Sequence, residues 1–313
     1  MNAVGLFYHP DFLLHDTGPD HPERPQRLQT LMSHLVQSPV WSKLNHIRPE
    51  PGSPTSVMLV HPEEYVKSIE QRCLAGERVL DMGDTHACAE SYRVALLAAG
   101  AVVQAVDQVM AGSLQRAFCA VRPPGHHAGT ATTMGFCLFN NVAIGVRHAQ
   151  QRQGVKRVAI VDWDVHHGNG TQEIFYRDDM VLYISTHQYP FYPGTGAKGE
   201  TGEGKGKGYT VNCPLPAGSG EREYLDAFRQ VIVPSLDRFQ PELIMISAGF
   251  DAHRDDPLAQ MDLTESAFGL FTSLVREVAE RYAQGRIVSV LEGGYNLEAL
   301  TRSVEEHLRV LTA

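Results

Sequence analysis

Six short runs along the chain are apolar or small at nearly every position, not at every second one. They are Val4–Tyr8, Arg116–Val121, Arg157–Asp162, Val181–Thr186, Leu243–Ala248 and Arg286–Leu291. A strand with one wet face alternates, whereas an unbroken apolar run suits a strand covered on both faces. Between these runs the spacing changes to that of helices. Ser91–Met110 carries Val94, Leu97, Ala98, Ala101, Val102 and Ala105 at three- and four-residue intervals. Pro25–Val36, Asn141–Gln153, Glu221–Phe239, Thr264–Ala283 and Leu297–Leu311 read the same way, with Thr264 as an N-cap. Strands alternating with helices predict an α/β fold with one parallel sheet and helices on both faces. In such sheets ligands bind outside the carboxyl ends of the strands.

Composition narrows the field. The chain has 313 residues, enough for one large domain or two, and 43% of them are hydrophobic, so a core can form without staples. The balance of 36 acids to 27 bases gives a net charge of −9, which argues against direct nucleic-acid binding. Cys73, Cys88, Cys119, Cys137 and Cys213 are an odd set without CxxC spacing, as expected of a reduced, cytoplasmic protein. The first residues lack the pattern of a signal peptide, and no apolar run reaches the length of a membrane span, so no membrane partner is expected. Fifteen histidines raise the question of whether they cluster.

They do, at strand ends. Asp162-Trp163-Asp164-Val165-His166-His167-Gly168-Asn169-Gly170 follows the third run directly. Asp162, Asp164 and His166 alternate, so an extended strand end would put them on one face, and carboxylates with an imidazole are metal-ligand chemistry. Gly249-Phe250-Asp251-Ala252-His253 follows the fifth run. Asp251 alone reads as a loop-capping carboxylate; beside the first cluster it is a third ligand, completing the open three-ligand set of a catalytic zinc site. His253 reads as a solvent or outer residue. The second run leads into Arg122-Pro123-Pro124-Gly125-His126-His127, a tandem pair suited to general base, general acid and electrostatic roles. The sixth leads into Glu292-Gly293-Gly294-Tyr295, whose phenol could stabilise an oxyanion, although taken alone a core tyrosine is the better reading. The stretch Gly199–Gly206 approaches the phosphate-loop pattern but has Gly206 where Ser or Thr is needed, and reads as a flexible surface loop.

Taken together, RPPGHHA, GFCLFNN, DWDVHHGNG, YISTHQYPFYPGTG, GFDAHRDDPL and LEGGY resemble the histone deacetylase superfamily, in family order over essentially the whole chain. The resemblance implies a single three-layer α/β/α arginase/deacetylase domain over residues 1–313, with a central, mostly parallel sheet of about eight strands. It implies a zinc-dependent amidohydrolase that removes acetyl or other acyl groups from lysine. Zinc would be held by Asp164, His166 and Asp251. His127 would be general base and acid, His126 its electrostatic partner oriented by Asp162, and Tyr295 the oxyanion stabiliser. Gly135, Phe136, Tyr192 and Leu258 would line the acyl-lysine tunnel, with the 81–86 loop at its rim. Asn169 and Gly294 would support the catalytic groups from behind. A structural potassium ion would sit on Asp162, Asp164, His166, Ser185 and Thr186. A weaker second monovalent site would involve Phe175, Asp178, Val181 and Tyr209.

The departures carry information. Asn169 stands where class I members have an aspartate, which resembles class II and leaves His127 less biased towards imidazolium; HPERPQR, residues 21–27, resembles class II and bacterial members as well. Tyr192 replaces the usual Phe. Leu258 stands where polyamine-specific members have a gatekeeper Glu, so it offers no charge to a distal ammonium. An acetylpolyamine or other small-amide amidohydrolase is the alternative. An arginase-like binuclear manganese enzyme fits less well, because Asp251-Ala252-His253 lacks Asp-x-Asp, and a non-catalytic acyl-lysine binder is the remaining reading. Zinc against ferrous iron, acyl length and oligomeric state stay open.

Overall fold

The computed structural model of the chain describes residues 3–81 and 83–313. Eight parallel strands make one sheet: β1 (Val4–Phe7), β2 (Leu44–Ile47), β3 (Arg116–Cys119), β4 (Val158–Asp162), β5 (Val181–Gln188), β6 (Thr210–Leu215), β7 (Leu243–Ala248) and β8 (Ile287–Leu291). The six strands expected from the apolar runs are β1, β3, β4, β5, β7 and β8, and every residue in them is buried. Helices therefore cover both faces. The two unanticipated strands are the sheet edges. β2 is half wet, with Asn45 and His46 exposed, and β6 contains Pro214, which lacks a ladder donor and is tolerated beside a single neighbour.

The expected helices are present as Gln26–Leu35, Ser91–Met110, Asn141–Arg152, Glu221–Phe239, Glu265–Tyr282 and Leu297–Leu311. Glu221–Phe239 widens to a π turn over Phe228–Ile232, just before Pro234, whose ring and missing N–H disfavour a regular α turn. Thr264 is the N-cap of its helix, but its hydroxyl meets Ser266 instead of a backbone amide. Ser91–Met110 is apolar and long enough to cross a membrane by composition, which the sequence reading did not anticipate, yet 67% of that stretch is buried inside the protein. Among the described residues all five cysteines are free.

Strand order is β2-β1-β3-β8-β7-β4-β5-β6. The successive strands β3 and β4 thus lie on either side of the β8–β7 pair, and the crevice of a switch in winding opens above their carboxyl ends. Those four strands carry the four chemical loops. Register aligns them: Asp162 at the end of β4 is paired with Ser185 of β5 and Ser247 of β7, and Ala248 of β7 with Leu291 of β8. The 199–206 stretch lies largely at the surface, as its sequence reads, with Gly199, Glu203, Gly204 and Lys205 exposed, but it is pinned. Glu200 accepts the amides of Gly196 and Ala197 and the side-chain amide of Gln172, and a Cβ at Gly206 would press on the backbone of Tyr176 and Asp178.

Candidate active site

β4 ends at Asp162, so Asp164 and His166 do not share a strand face as the alternation suggested. Two successive side-chain turns shape the segment instead: Asp162 Oδ1 accepts the Asp164 amide at 3.2 Å, and Asp164 Oδ1 accepts the His166 amide at 2.9 Å. These turns still deliver Asp164 and His166 to one point. Asp251, after β7, arrives there from the neighbouring strand. One ligand atom from each of the three lies within 4.8 Å of the others, and all three residues are buried. His166 Nδ1 is 3.2 Å from Asp164 Oδ1 and 3.1 Å from Asp251 Oδ2. Metal–ligand distances near 2.0–2.1 Å give a tetrahedral edge of about 3.3 Å, so this spacing suits a zinc-sized cation. Backbone amides hold the outer carboxylate oxygens: Gly293 N donates to Asp164 Oδ2 at 2.8 Å and Val165 N to Asp251 Oδ1 at 2.9 Å. A Cβ on Gly293 would collide with Asp251, which explains the first of the paired glycines after β8. Without a cation, burial lowers the His166 pKa, but the hydrogen bonds and charges of Asp164 and Asp251 outweigh it and raise it to about 10. A cation held by these three residues would take the place of that proton.

The tandem histidines follow β3. Their rings lie 4.0 Å apart, and each has its own partner. His126 Nδ1 meets Asp162 Oδ2 at 3.1 Å; His127 Nδ1 meets Asn169 Oδ1 at 2.7 Å. Their surroundings leave one ring charged and the other neutral. Burial opposes the charged form of His126, yet Asp164 and Asp162 raise its pKa to about 10. Burial and the repulsion of His126 and His166 hold His127 well below the usual imidazole value. An amide oxygen can only accept, so His127 Nδ1 carries its hydrogen and Nε2 is the free base.

A cavity of about 200 Å³ opens above this cluster, lined by Asp84, His127, Gly135, Phe136, His166, Phe191, Tyr192, Leu258 and Tyr295. Phe191 stacks on the His166 ring at 5.6 Å, Tyr192 stands edge-on to His127 at 5.3 Å, and Phe136 faces Tyr295 at 5.8 Å. Gly135, at φ +56°, leaves room for His127, since a Cβ there would strike the imidazole. The Tyr192 hydroxyl donates to Asp84 Oδ2 at 2.9 Å, linking two residues of the cavity wall. Burial raises the Tyr295 phenol well above its usual pKa, so it is a neutral donor.

A histone deacetylase domain profile matches residues 21–311. The chain belongs to the histone deacetylase family. A probable deacetylase of Archaeoglobus fulgidus is 44% identical over 95% of this chain and 82% of its own length. The human polyamine deacetylase HDAC10 is 40% identical over 96% of this chain and 47% of its own length. The crystal structure of the HDA15 HD domain superposes with a TM-score of 0.95 at 38% identity, over 100% of this chain and 90% of that one. The protein is thus an amidohydrolase of the histone deacetylase family on the three-layer arginase/deacetylase fold.

Within this family frame, several residues that sequence reasoning passed over have clear work. Glu292, named only as part of a motif, accepts the amides of Gly125 at 2.7 Å and His126 at 3.2 Å and the Ser247 hydroxyl at 3.1 Å, tying the histidine loop to β8 and β7. Arg27, in the HPERPQR segment, donates to the carbonyls of Gly294 at 2.6 Å and Glu292 at 2.5 Å and lies 5.0 Å from the Tyr295 ring. Phe191 and Asp84 join the cavity wall. Met82, within the rim loop 81–86, lies outside the described residues. His253 is buried, not solvent-facing, with Nε2 3.3 Å from Glu265. His307 is a satisfied core histidine bonded to Thr272 and Ser289.

Of the residues expected to hold potassium, two are strand neighbours. Asp162 pairs with Ser185, and among the described residues no hydrogen-bond donor is directed at the carbonyls of Asp164 or His166. Such an oxygen set suits a hard monovalent cation. The second set is more encumbered. Asp178 is held by Arg147 at 2.6 Å and by the Met180 amide, while the carbonyls of Phe175 and Tyr209 accept the amides of Asp178 and Tyr183. Val181 opens β5 beside them.

Proposed function

We propose that the whole of residues 1–313 is one catalytic domain, a zinc-dependent deacylase that removes acetyl or other short acyl groups from lysine side chains of peptides or proteins in the cytoplasm. One observation supports the chemistry above all others. A neutral imidazole, His127, and a neutral phenol, Tyr295, line one narrow cavity with the Asp164-His166-Asp251 cluster at its floor. Bound zinc supplies a Lewis acid that acidifies water and polarises the acyl carbonyl. His127 Nε2 is free to take the proton of the attacking water, and His127 then returns it to the departing lysine amine. The His126–Asp162 pair keeps a positive charge beside the developing oxyanion. Tyr295 donates a hydrogen bond to the acyl oxygen. Phe136, Phe191 and Tyr192 enclose an aliphatic side chain and exclude water. Potassium on the Asp162–Ser185 group would hold the β4 loop from behind.

The peptide reading rests on Leu258 at the cavity wall, which offers nothing to a distal ammonium. The acetylpolyamine reading draws on Asp84, a carboxylate in the same wall, and on the similarity to a polyamine deacetylase. In this structure Asp84 already accepts from Tyr192 and, at 3.1 Å, from the Gly135 amide, which favours a bracing role. Measuring kcat/KM for an acetyl-lysine peptide and for acetylspermidine on one zinc-loaded sample decides between them. A higher value for acetylspermidine overturns the peptide reading.

A further inference from the structure

Asp256 is a buried carboxylate without a part in this chemistry. It is 6% exposed, in the loop after β7. Its Oδ1 accepts the Leu258 amide at 3.0 Å, and its Oδ2 accepts the amides of Tyr295 at 2.7 Å and Asn296 at 3.2 Å. The Asn296 side chain returns a bond to the Asp255 carbonyl at 3.0 Å. The loops after β7 and β8 are thus stitched together at adjacent positions, with little water to replace a lost acceptor. Two of the three amides held by this one carboxylate belong to residues that line the cavity, Leu258 and Tyr295.

Tyr295 depends on such an anchor. It follows Gly293 and Gly294, beyond the last ladder bonds of β8, and Gly294 has a φ of +124°. The ring is set between Phe136 and the Arg27 guanidinium. Those contacts fix the ring's sides; the bond from its own backbone amide fixes how far the residue reaches into the cavity. We infer that Asp256 is a positioning residue, which sets the Tyr295 hydroxyl against the acyl oxygen. This rests on the reading of Tyr295 as the donor to that oxygen.

A double-mutant cycle tests the inference. Asp256→Asn keeps one acceptor oxygen and turns an NH2 towards an amide that needs one. kcat, KM and zinc content are measured on an acetyl-lysine peptide for the parent, Asp256→Asn, Tyr295→Phe and the double variant. Misplacing a catalytic group by about 1 Å costs up to about 100-fold, so Asp256→Asn should lower kcat about 10- to 100-fold, with zinc content and KM held. In the Tyr295→Phe background the same change should cost less than about twofold, because the group it positions is gone. Equal losses in both backgrounds, or no loss in either, overturn the positioning role alone. A fully active Tyr295→Phe overturns the oxyanion reading, and this inference with it. Asp256→Ser, which keeps one short acceptor, replaces the Asn variant if that one does not fold. Failure of both to fold or to hold zinc assigns Asp256 to the fold and overturns the inference.

Discussion

Asn169→Asp is the change that tests the assignment of His127 most sharply. The amide oxygen now accepts from His127 Nδ1 at 2.7 Å without adding charge. A carboxylate of the same shape places a negative charge about 4 Å from the imidazolium, worth about 4 kcal/mol at an effective dielectric of about 20, or about 3 pKa units. Desolvation of the new carboxylate, at a half-buried position, returns part of this, leaving a net rise of about 1 to 2 units. In the parent, burial and the repulsion of His126 hold the His127 pKa well below its usual value, so the base is ready at neutral pH. Raising its pKa keeps it protonated to higher pH. The acid limb of kcat/KM, which reports the base in the free enzyme, should therefore move up by about 1 to 2 pH units. The assay is a pH profile on an acetyl-lysine peptide, with zinc content and melting temperature measured on the same samples. An unmoved acid limb in a folded, zinc-loaded variant would refute His127 as the base.

Tyr295→Phe should lower kcat by about 100- to 1,000-fold, the scale for losing one oxyanion donor, with zinc content unchanged by metal analysis. Metal affinity should fall with decreasing pH at about one decade per unit, since the cation displaces the proton that Asp164 and Asp251 hold on His166; a flat dependence in a competition titration would contradict that exchange. Glu23 is fully buried and bonded to Arg122 at 2.8 Å and Arg27 at 3.1 Å; burial resists its charge, but the two guanidinium groups win and lower its pKa from 4.5 to about 2. It therefore contributes about 3 kcal/mol above pH 4.5, lost as pH falls from 4.5 towards 2. Glu23→Gln should be about 3–5 kcal/mol less stable at neutral pH and lose less on acidification through that window, read by thermal melts.

The middle of the sheet was legible because burial on both faces writes an unbroken apolar run, and the six strands so marked are the six buried throughout. The edges were not. β2 has one wet side and four residues, and β6 follows a glycine-rich segment and contains a proline, so neither carries that signature. The candidate ligands and the tandem histidines were legible because each lies within a few residues of a strand end. The groups that hold them were not, because their partners are remote in sequence: Glu292 is 167 residues from Gly125, and Arg27 is 267 from Gly294. Asp256 lay in view within DDPL, but only the meeting of two loops shows that it holds Tyr295. The alternation in Asp162-Trp163-Asp164-Val165-His166 singled out residues that do cluster, but through the wrong geometry: side-chain turns, not a strand face, aim them.

Stepwise reconstitution tests the central claim most directly. The protein is stripped of metal, zinc is added in measured fractions of one equivalent, and turnover of an acetyl-lysine peptide is followed at each step. Turnover should be absent at first, rise in proportion to zinc and level off at about one ion per chain, as expected for a single three-ligand site. Full turnover in the stripped protein, or none on the peptide at full zinc occupancy, would contradict it.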